Sequence, residues 1–145
     1  MRYNPLMIIT ICGSMQFHVE MKETLRALRA RGFVANAPAE LDDLEHNESY
    51  MKNDEDRITA KIEYDFIREH FKKIEKADAI LILNYQKKGI DGYIGGNTFL
   101  EMGYAFGLGK KVYLLNPIPK MDYYTEMVAI QPTILHGDLN MISSV

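Results

Sequence analysis

The sequence holds a single cysteine, Cys12, and no tryptophan. A lone thiol excludes an internal disulfide, so packing alone must hold the core, and a reducing compartment, the cytoplasm, is expected. Long apolar runs are also missing. None approaches the roughly 20 residues needed to cross a bilayer, and the N-terminus lacks a signal-peptide apolar region with a cleavage site, so no membrane partner is expected. Charge of one sign is scarce: 17 basic against 20 acidic residues leave a net charge of -3. The basic residues lie scattered among acids, which excludes a nucleic-acid polymer as partner, because phosphate chains are held by clustered Lys and Arg. The four histidines (18, 46, 70 and 136) show no ligand spacing with Cys12 or carboxylates, so neither a metal site nor a cofactor is expected. A chain of 145 residues, 47% hydrophobic and 26% charged, is long enough for one core, and residues 1–145 are read as one globular domain.

What is present is an alternation of buried strands and amphipathic helices. Leu6 to Cys12, "LMIITIC", is a β-branched apolar run ending at Gly13-Ser14, the pattern of a buried strand. Apolar residues Val19, Met21, Leu25 and Leu28 then recur at roughly helical spacing between Met15 and Arg31, and Gly32 stops the helix. "FVANAP" reads as a second strand. Residues 38–56 are acidic and aperiodic, a long loop with at most one helical turn. Ile58 to Lys76 forms a surface helix with Ile58, Ile62, Phe66, Phe71 and Ile74 inward. "AILILN" (Ala79 to Asn84) is a third strand, the Gly-rich segment 89–96 leads into a helix carrying Glu101, and Gly107 and Gly109 close it. A fourth strand (Lys111 to Pro117), a helix (Tyr123 to Ile130) and a short fifth strand in "PTILHGD" complete a βαβαβαβαβ order. That order predicts an α/β fold, a flavodoxin-like or Rossmann-like five-stranded parallel sheet with helices on both faces. Such sheets bind ligands beyond the carboxyl ends of their strands. The rim then comprises residues 13–17, Asn84-Tyr85, the 89–98 loop and Asn116-Pro117.

On that rim, Gly13, Ser14 and Gln16 open a helix whose N–H groups suit an anion, or form a tight turn with Ser14 as cap. Neither a P-loop lysine nor G-x-G-x-x-G spacing accompanies them. Asn97 and Thr98 follow a glycine pair and present donors, or merely cap; Asp91 and Tyr93 share their loop. Glu101 stands among Phe99, Leu100, Met102, Tyr104, Ala105 and Phe106. A carboxylate there gains from the positive end of its helix and loses hydration, so it is either a functional group or a favourable helix-start acid. Cys12 reads as core rather than nucleophile. A phosphoacceptor of the receiver type is excluded, because the third strand ends in Asn84 where that fold needs an acid.

Three segments, "IITICGSM", "KKIEKADAILIL" and "GGNTFLEMGYAFGLGKKVYLL", resemble the nucleoside 2-deoxyribosyltransferase-like superfamily, which includes nucleoside 5′-monophosphate N-glycosidases. The resemblance spans Leu6 to about Asn116 and is strongest at Glu-x-Gly-Tyr-Ala followed by Gly-Lys-Lys-Val. It implies an enzyme of nucleotide metabolism that cleaves or transfers an N-glycosidic bond, with Glu101 attacking C1′ of the sugar to give a glycosyl ester. It also maps Gly13, Ser14 and Gln16 onto the loop that contacts the sugar or phosphate; together with the rim residues Asp91, Tyr93, Asn97, Thr98 and Asn116 these are the expected contacts of a small nucleoside or nucleotide, with no metal required. A homodimer or larger homo-oligomer is implied too. The chain departs from the pattern twice. The first loop has Met15-Gln16-Phe17-His18 where the nucleotide hydrolases have an arginine. His70 stands where the family places an aspartate, either as the acid that protonates the departing base or as a structural histidine. The alternative reading is a non-catalytic nucleotide-binding or sensor module on the same fold, and a third is an interaction protein.

Overall fold

The computed structural model describes residues 6–41 and 65–142. Strands β1 (Ile8–Cys12), β2 (Val34–Asn36), β3 (Ala79–Ile82), β4 (Lys111–Leu114) and β5 (Thr133–Ile134) form one parallel sheet in the order β2-β1-β3-β4-β5. Among the described residues the helices are α1 (His18–Ala30), α2 (Phe66–Lys76), α3 (Gly96–Gly107) and α4 (Tyr124–Ile130), with 3₁₀ turns at Met15–Phe17 and Leu139–Met141. The expected α/β architecture and its flavodoxin-like strand order are therefore present. Every expected strand and helix within the described residues is found, most of them shorter than the apolar runs suggested. The anticipated helix from Ile58 is seen from Phe66 onward. Of the 38–56 loop, residues 42–56 lie outside the described residues.

The two-residue period of the strands sorts their side chains onto two faces. Ile9, Ile11, Ala79, Leu81, Leu83, Tyr113 and Leu115 point to the face covered by Met21 and Leu28 of α1. Cys12, Ile80, Ile82, Val112 and Leu114 point to the opposite face, under Ile74 of α2, Met102 and Ala105 of α3 and Met127 of α4. Both faces are covered, which explains why the strands read as unbroken apolar runs rather than alternating ones. Among the described residues, no helix is long and apolar enough to cross a membrane.

The order of the strands reverses at β1, which is flanked by β2 and β3. The crevice beyond the carboxyl ends of β1 and β3 is where a sheet of this kind leaves room for a ligand. Asn84, just past β3 and fully buried, fixes one wall of it. Its Nδ2 lies within reach of the carbonyls of Gly92 (3.3 Å), Asn116 (2.9 Å) and Pro117 (3.2 Å), and its Oδ1 accepts from the Asn116 N–H at 2.9 Å. Asn116 returns the bond, its Nδ2 donating to the Asn84 carbonyl at 3.0 Å. Gly92 must be glycine here: its φ is +70°, and a Cβ would stand 2.7 Å from the Pro117 carbonyl.

Replacing Asn84 strands several buried carbonyls and one N–H without partners. Asn84→Ala should cost about 2–3 kcal/mol in urea unfolding. A loss below about 0.5 kcal/mol would show that the clamp does not hold the loops together.

Candidate functional site

Three elements bring chemistry to the crevice. Helix α2 buries Phe66, His70 and Ile74, one residue per turn, so His70 occupies the middle of the helix's apolar stripe. Helix α3 buries Thr98, Met102 and Ala105, and Glu101 flanks that stripe. Strand β1 ends in Cys12, which points to the face under both helices. The imidazole Nε2 of His70 stands 2.9 Å from Glu101 Oε2 and 3.4 Å from Cys12 Sγ. The side chains of His70 and Glu101 are only 4% and 14% exposed. The His70–Glu101 approach has hydrogen-bond distance without hydrogen-bond alignment, for neither Glu101 Oε2 nor His70 Nδ1 has a bonding partner. It is a close polar contact whose hydrogen-bonding capacity is partly unused.

His70 and Glu101 line a cavity of about 660 Å³, within the range that holds a small-molecule ligand. Gly13, Ser14, Gln16, Tyr93, Asn97 and Thr98 line it too, so the structure gathers eight of the ten anticipated site residues around one space. Gly13 lets β1 turn against β3, since a Cβ would come within 3.2 Å of the Leu83 carbonyl. Ser14 caps the 3₁₀ turn by accepting from the Gln16 N–H at 3.3 Å, so both readings of this residue, cap and cavity wall, hold together.

Asp91 and Asn116 are not brought to the cavity. Asp91 is exposed and accepts from Gln86 Nε2 at 3.0 Å. Asn116 is engaged with Asn84 in the clamp described above. Both follow strands at the correct end of the sheet, and their local backbone turns them elsewhere.

The sequence reading overlooked Lys87 and Lys88. Both line the cavity, Lys87 Nζ donates to Ser14 Oγ at 3.0 Å, and the two ammonium groups lie 5.3 and 5.7 Å from the centre of the Tyr93 ring. The loop lysines therefore supply positive charge at the first loop, where an arginine was missed. Their signal in the sequence, a Lys-Lys pair just after an apolar strand, resembles any solvated charge pair. Met15, Phe66, Ile67 and Leu100 add apolar walls. The lining thus combines the acids Glu40 and Glu101 with two ammonium groups, those of Lys87 and Lys88.

Burial pushes the Cys12 thiol well above its ordinary range, and the negative charge of Glu101 and a side-chain hydrogen bond to it add to the effect. The group is a neutral thiol at physiological pH, which removes it as a nucleophile. The native state therefore keeps a proton that the unfolded thiol releases above about pH 8.5. Stability from this source is complete below that pH and declines as pH rises toward the native value. Between pH 7.5 and 9.5, the stability advantage of the wild type over Cys12→Ala should narrow by roughly 1 kcal/mol. A gap that stays constant in urea titrations at the two pH values would contradict a protonated thiol.

No protein-family model and no curated protein matches the sequence. Among solved structures, a 2-desoxiribosyltransferase from Leishmania mexicana is similar to this chain at 17% identity and a TM-score of 0.49, covering 77% of this chain and 68% of that one. A CMP N-glycosidase from Clostridium botulinum is similar at 12% identity and a TM-score of 0.49, over 88% of this chain and 84% of the other. A 2-deoxyribosyltransferase from Bacillus psychrosaccharolyticus is 20% identical with a TM-score of 0.41, over 74% and 70% of the two chains.

Proposed function

We propose that the protein cleaves or transfers the N-glycosidic bond of a nucleoside monophosphate through a covalent glycosyl ester on Glu101. The observation that carries this reading is a largely desolvated carboxylate on the wall of a ligand-sized cavity, held against an imidazole. A carboxylate so placed stabilises positive charge developing at C1′ and then bonds to it. As the Glu101 oxygen attacks, the electron pair of the C1′–N bond leaves with the base, which takes up a proton. Water, or the nitrogen of a second base, then attacks C1′ and releases the carboxylate.

The contacts of His70 favour its structural reading over that of a proton donor. Its Nε2 faces Glu101 and Cys12, and its Nδ1 is buried without an acceptor. With Nε2 engaged by those two groups and Nδ1 buried, His70 is read as a positioning residue for the Glu101 carboxylate. The phosphate of a monophosphate is assigned to the end with Ser14, Lys87 and Lys88, where a charge-assisted bond contributes about 1.5–3 kcal/mol. The apolar side chains at the other walls suit a flat base. A homodimer accompanies this reading: Leu100 at the cavity and Phe106 on the same helix are 55% and 52% exposed, apolar area that a second copy would cover. A single-chain mass in light scattering would remove that element.

Incubation with a panel of nucleosides and their 5′-monophosphates should release free base. Glu101→Gln should lower kcat on the order of 10³-fold or more. Lys87→Ala should raise KM for monophosphates about tenfold or more and leave nucleosides unaffected. Binding of monophosphates without turnover would replace the enzyme by a nucleotide-binding module.

His70→Ala should lower kcat about 10²-fold, by the same factor for good and poor leaving bases, with KM little changed. A loss that grows steeply as the base becomes a poorer leaving group would instead make His70 the proton donor.

A further inference from the structure

We propose that Cys12, His70 and Glu101 form a binding site for one borderline-soft divalent cation of the zinc class, and that the cation silences Glu101 when bound. Their ligand atoms, a thiol sulfur, an imidazole nitrogen and a carboxylate oxygen, all lie within 4.8 Å of one another. This donor set of sulfur, nitrogen and oxygen suits Zn²⁺ and Co²⁺ rather than Mg²⁺ or Ca²⁺, which take oxygen alone. Two of the three separations fit a tetrahedral ion. With metal–sulfur bonds of about 2.3 Å and metal–nitrogen or metal–oxygen bonds of about 2.0–2.1 Å, the edges of a tetrahedron are roughly 3.5 Å for S···N and 3.3 Å for N···O. The corresponding separations are 3.4 Å and 2.9 Å. A shift of the Glu101 carboxylate by a few tenths of an ångström brings the N···O separation to that edge, and the carboxylate swings toward Cys12, whose sulfur lies within 4.8 Å, to close the third.

Two further observations point to a ligand. Glu101 Oε2 and His70 Nδ1 are both buried without a hydrogen-bond partner, and the His70 side chain is 96% removed from solvent. Buried polar atoms of native proteins nearly always have partners, so an unsatisfied carboxylate oxygen beside an imidazole and a thiol marks a place where a cation improves the balance. His70 and Glu101 also line the cavity, which gives an ion a path and leaves its fourth position toward open space. On binding, the thiol of Cys12 loses its proton to solvent, and thiolate plus carboxylate neutralise the charge of the ion. Because His70 Nδ1 lacks an acceptor to hold the ring, the affinity should fall about 10–100-fold short of sites with that support. That suits an ion that comes and goes rather than a permanent structural one. A bound cation takes the lone pairs of Glu101 and blocks approach to the wall where attack would occur.

Titration of the full-length protein with Co²⁺ tests the site directly. Cys12 is the only thiol in the chain, so a near-ultraviolet thiolate-to-cobalt charge-transfer band assigns the ion to this cluster without any variant. One equivalent of Co²⁺ should produce that band together with the visible bands of a tetrahedral ion, and Zn²⁺ should bleach both. Glu101→Gln, altered on the cavity side, should keep the charge-transfer band while weakening binding more than about tenfold, since even the loss of outer partners costs that much. Absence of the band at millimolar Co²⁺ overturns the site, as does a Co²⁺ affinity unchanged from the wild type in both Glu101→Gln and His70→Gln. The consequence for turnover rests on Glu101 being the nucleophile. Zn²⁺ should then inhibit base release over the range in which it bleaches the cobalt bands, and chelator should restore it. A charge-transfer band with undiminished turnover in saturating Zn²⁺ keeps the site and removes the nucleophile. Glu101-dependent turnover with no band does the reverse.

Discussion

The contact between His70 and Glu101 sets the character of this molecule. Helices α2 and α3 lie side by side over the face of the sheet that carries Cys12, and each brings one ionisable group to the seam. Withdrawing a carboxylate from water is unfavourable unless a partner compensates, and an imidazole at 2.9 Å is the nearest compensation available. Such a pair is seldom a net source of stability, because desolvation of both partners offsets the attraction between them. Its retention in the middle of an apolar seam is better explained by reactivity than by folding. The same burial that makes the pair costly to hold makes its field strong, since little water is left to screen it.

The rest of the site is arranged around that pair. The Asn84 clamp ties together the segments after β3 and β4, so the loop that carries Lys87, Lys88 and Tyr93 starts from a fixed base. The chain after β1 is fixed by Gly13, packed against the Leu83 carbonyl, and by Ser14, which receives the Lys87 ammonium. Both signs of charge line the cavity, with Glu101 on α3 and the Lys87 ammonium bonded to Ser14. A ligand with an anionic tail is oriented by this arrangement before it meets the carboxylate. The thiol beneath contributes in a different way. Held neutral by burial and by Glu101, it stays unreactive toward organic ligands, yet it completes a set of donors that a soft cation would convert to thiolate.

Strand and helix positions were readable because their physical causes are local. A parallel strand covered on both faces must be apolar throughout, and "IITIC" and "AILI" meet that condition in sequence alone. Glu101 stood out for the same reason in reverse, as a charged residue inside an apolar helix, although a helix-start acid has the same appearance in sequence. Asp91 and Asn116 looked equally suitable by their place on the rim, but which way a loop side chain turns depends on the hydrogen-bond partner it finds, near in the chain for one and distant for the other. Asn84 claims Asn116, and Gln86 claims Asp91. Lys87 and Lys88 were passed over because a charged pair in a loop has the same appearance whether it faces solvent or a cavity.

By itself the sequence determined the alternation of strands and helices, the buried stripe of each, and the presence of one carboxylate in an apolar setting, all of which follow from spacings of 2 and 3.6 residues. It gave no metal-ligand spacing that linked Cys12 with a histidine and a carboxylate. Only the tertiary structure brought Cys12 within reach of His70 across 58 residues and joined Glu101 to both. A parallel sheet with crossover helices places residues from distant segments at the same end of neighbouring elements, so adjacency there is a property of strand order and helix packing. No periodicity in the sequence encodes it.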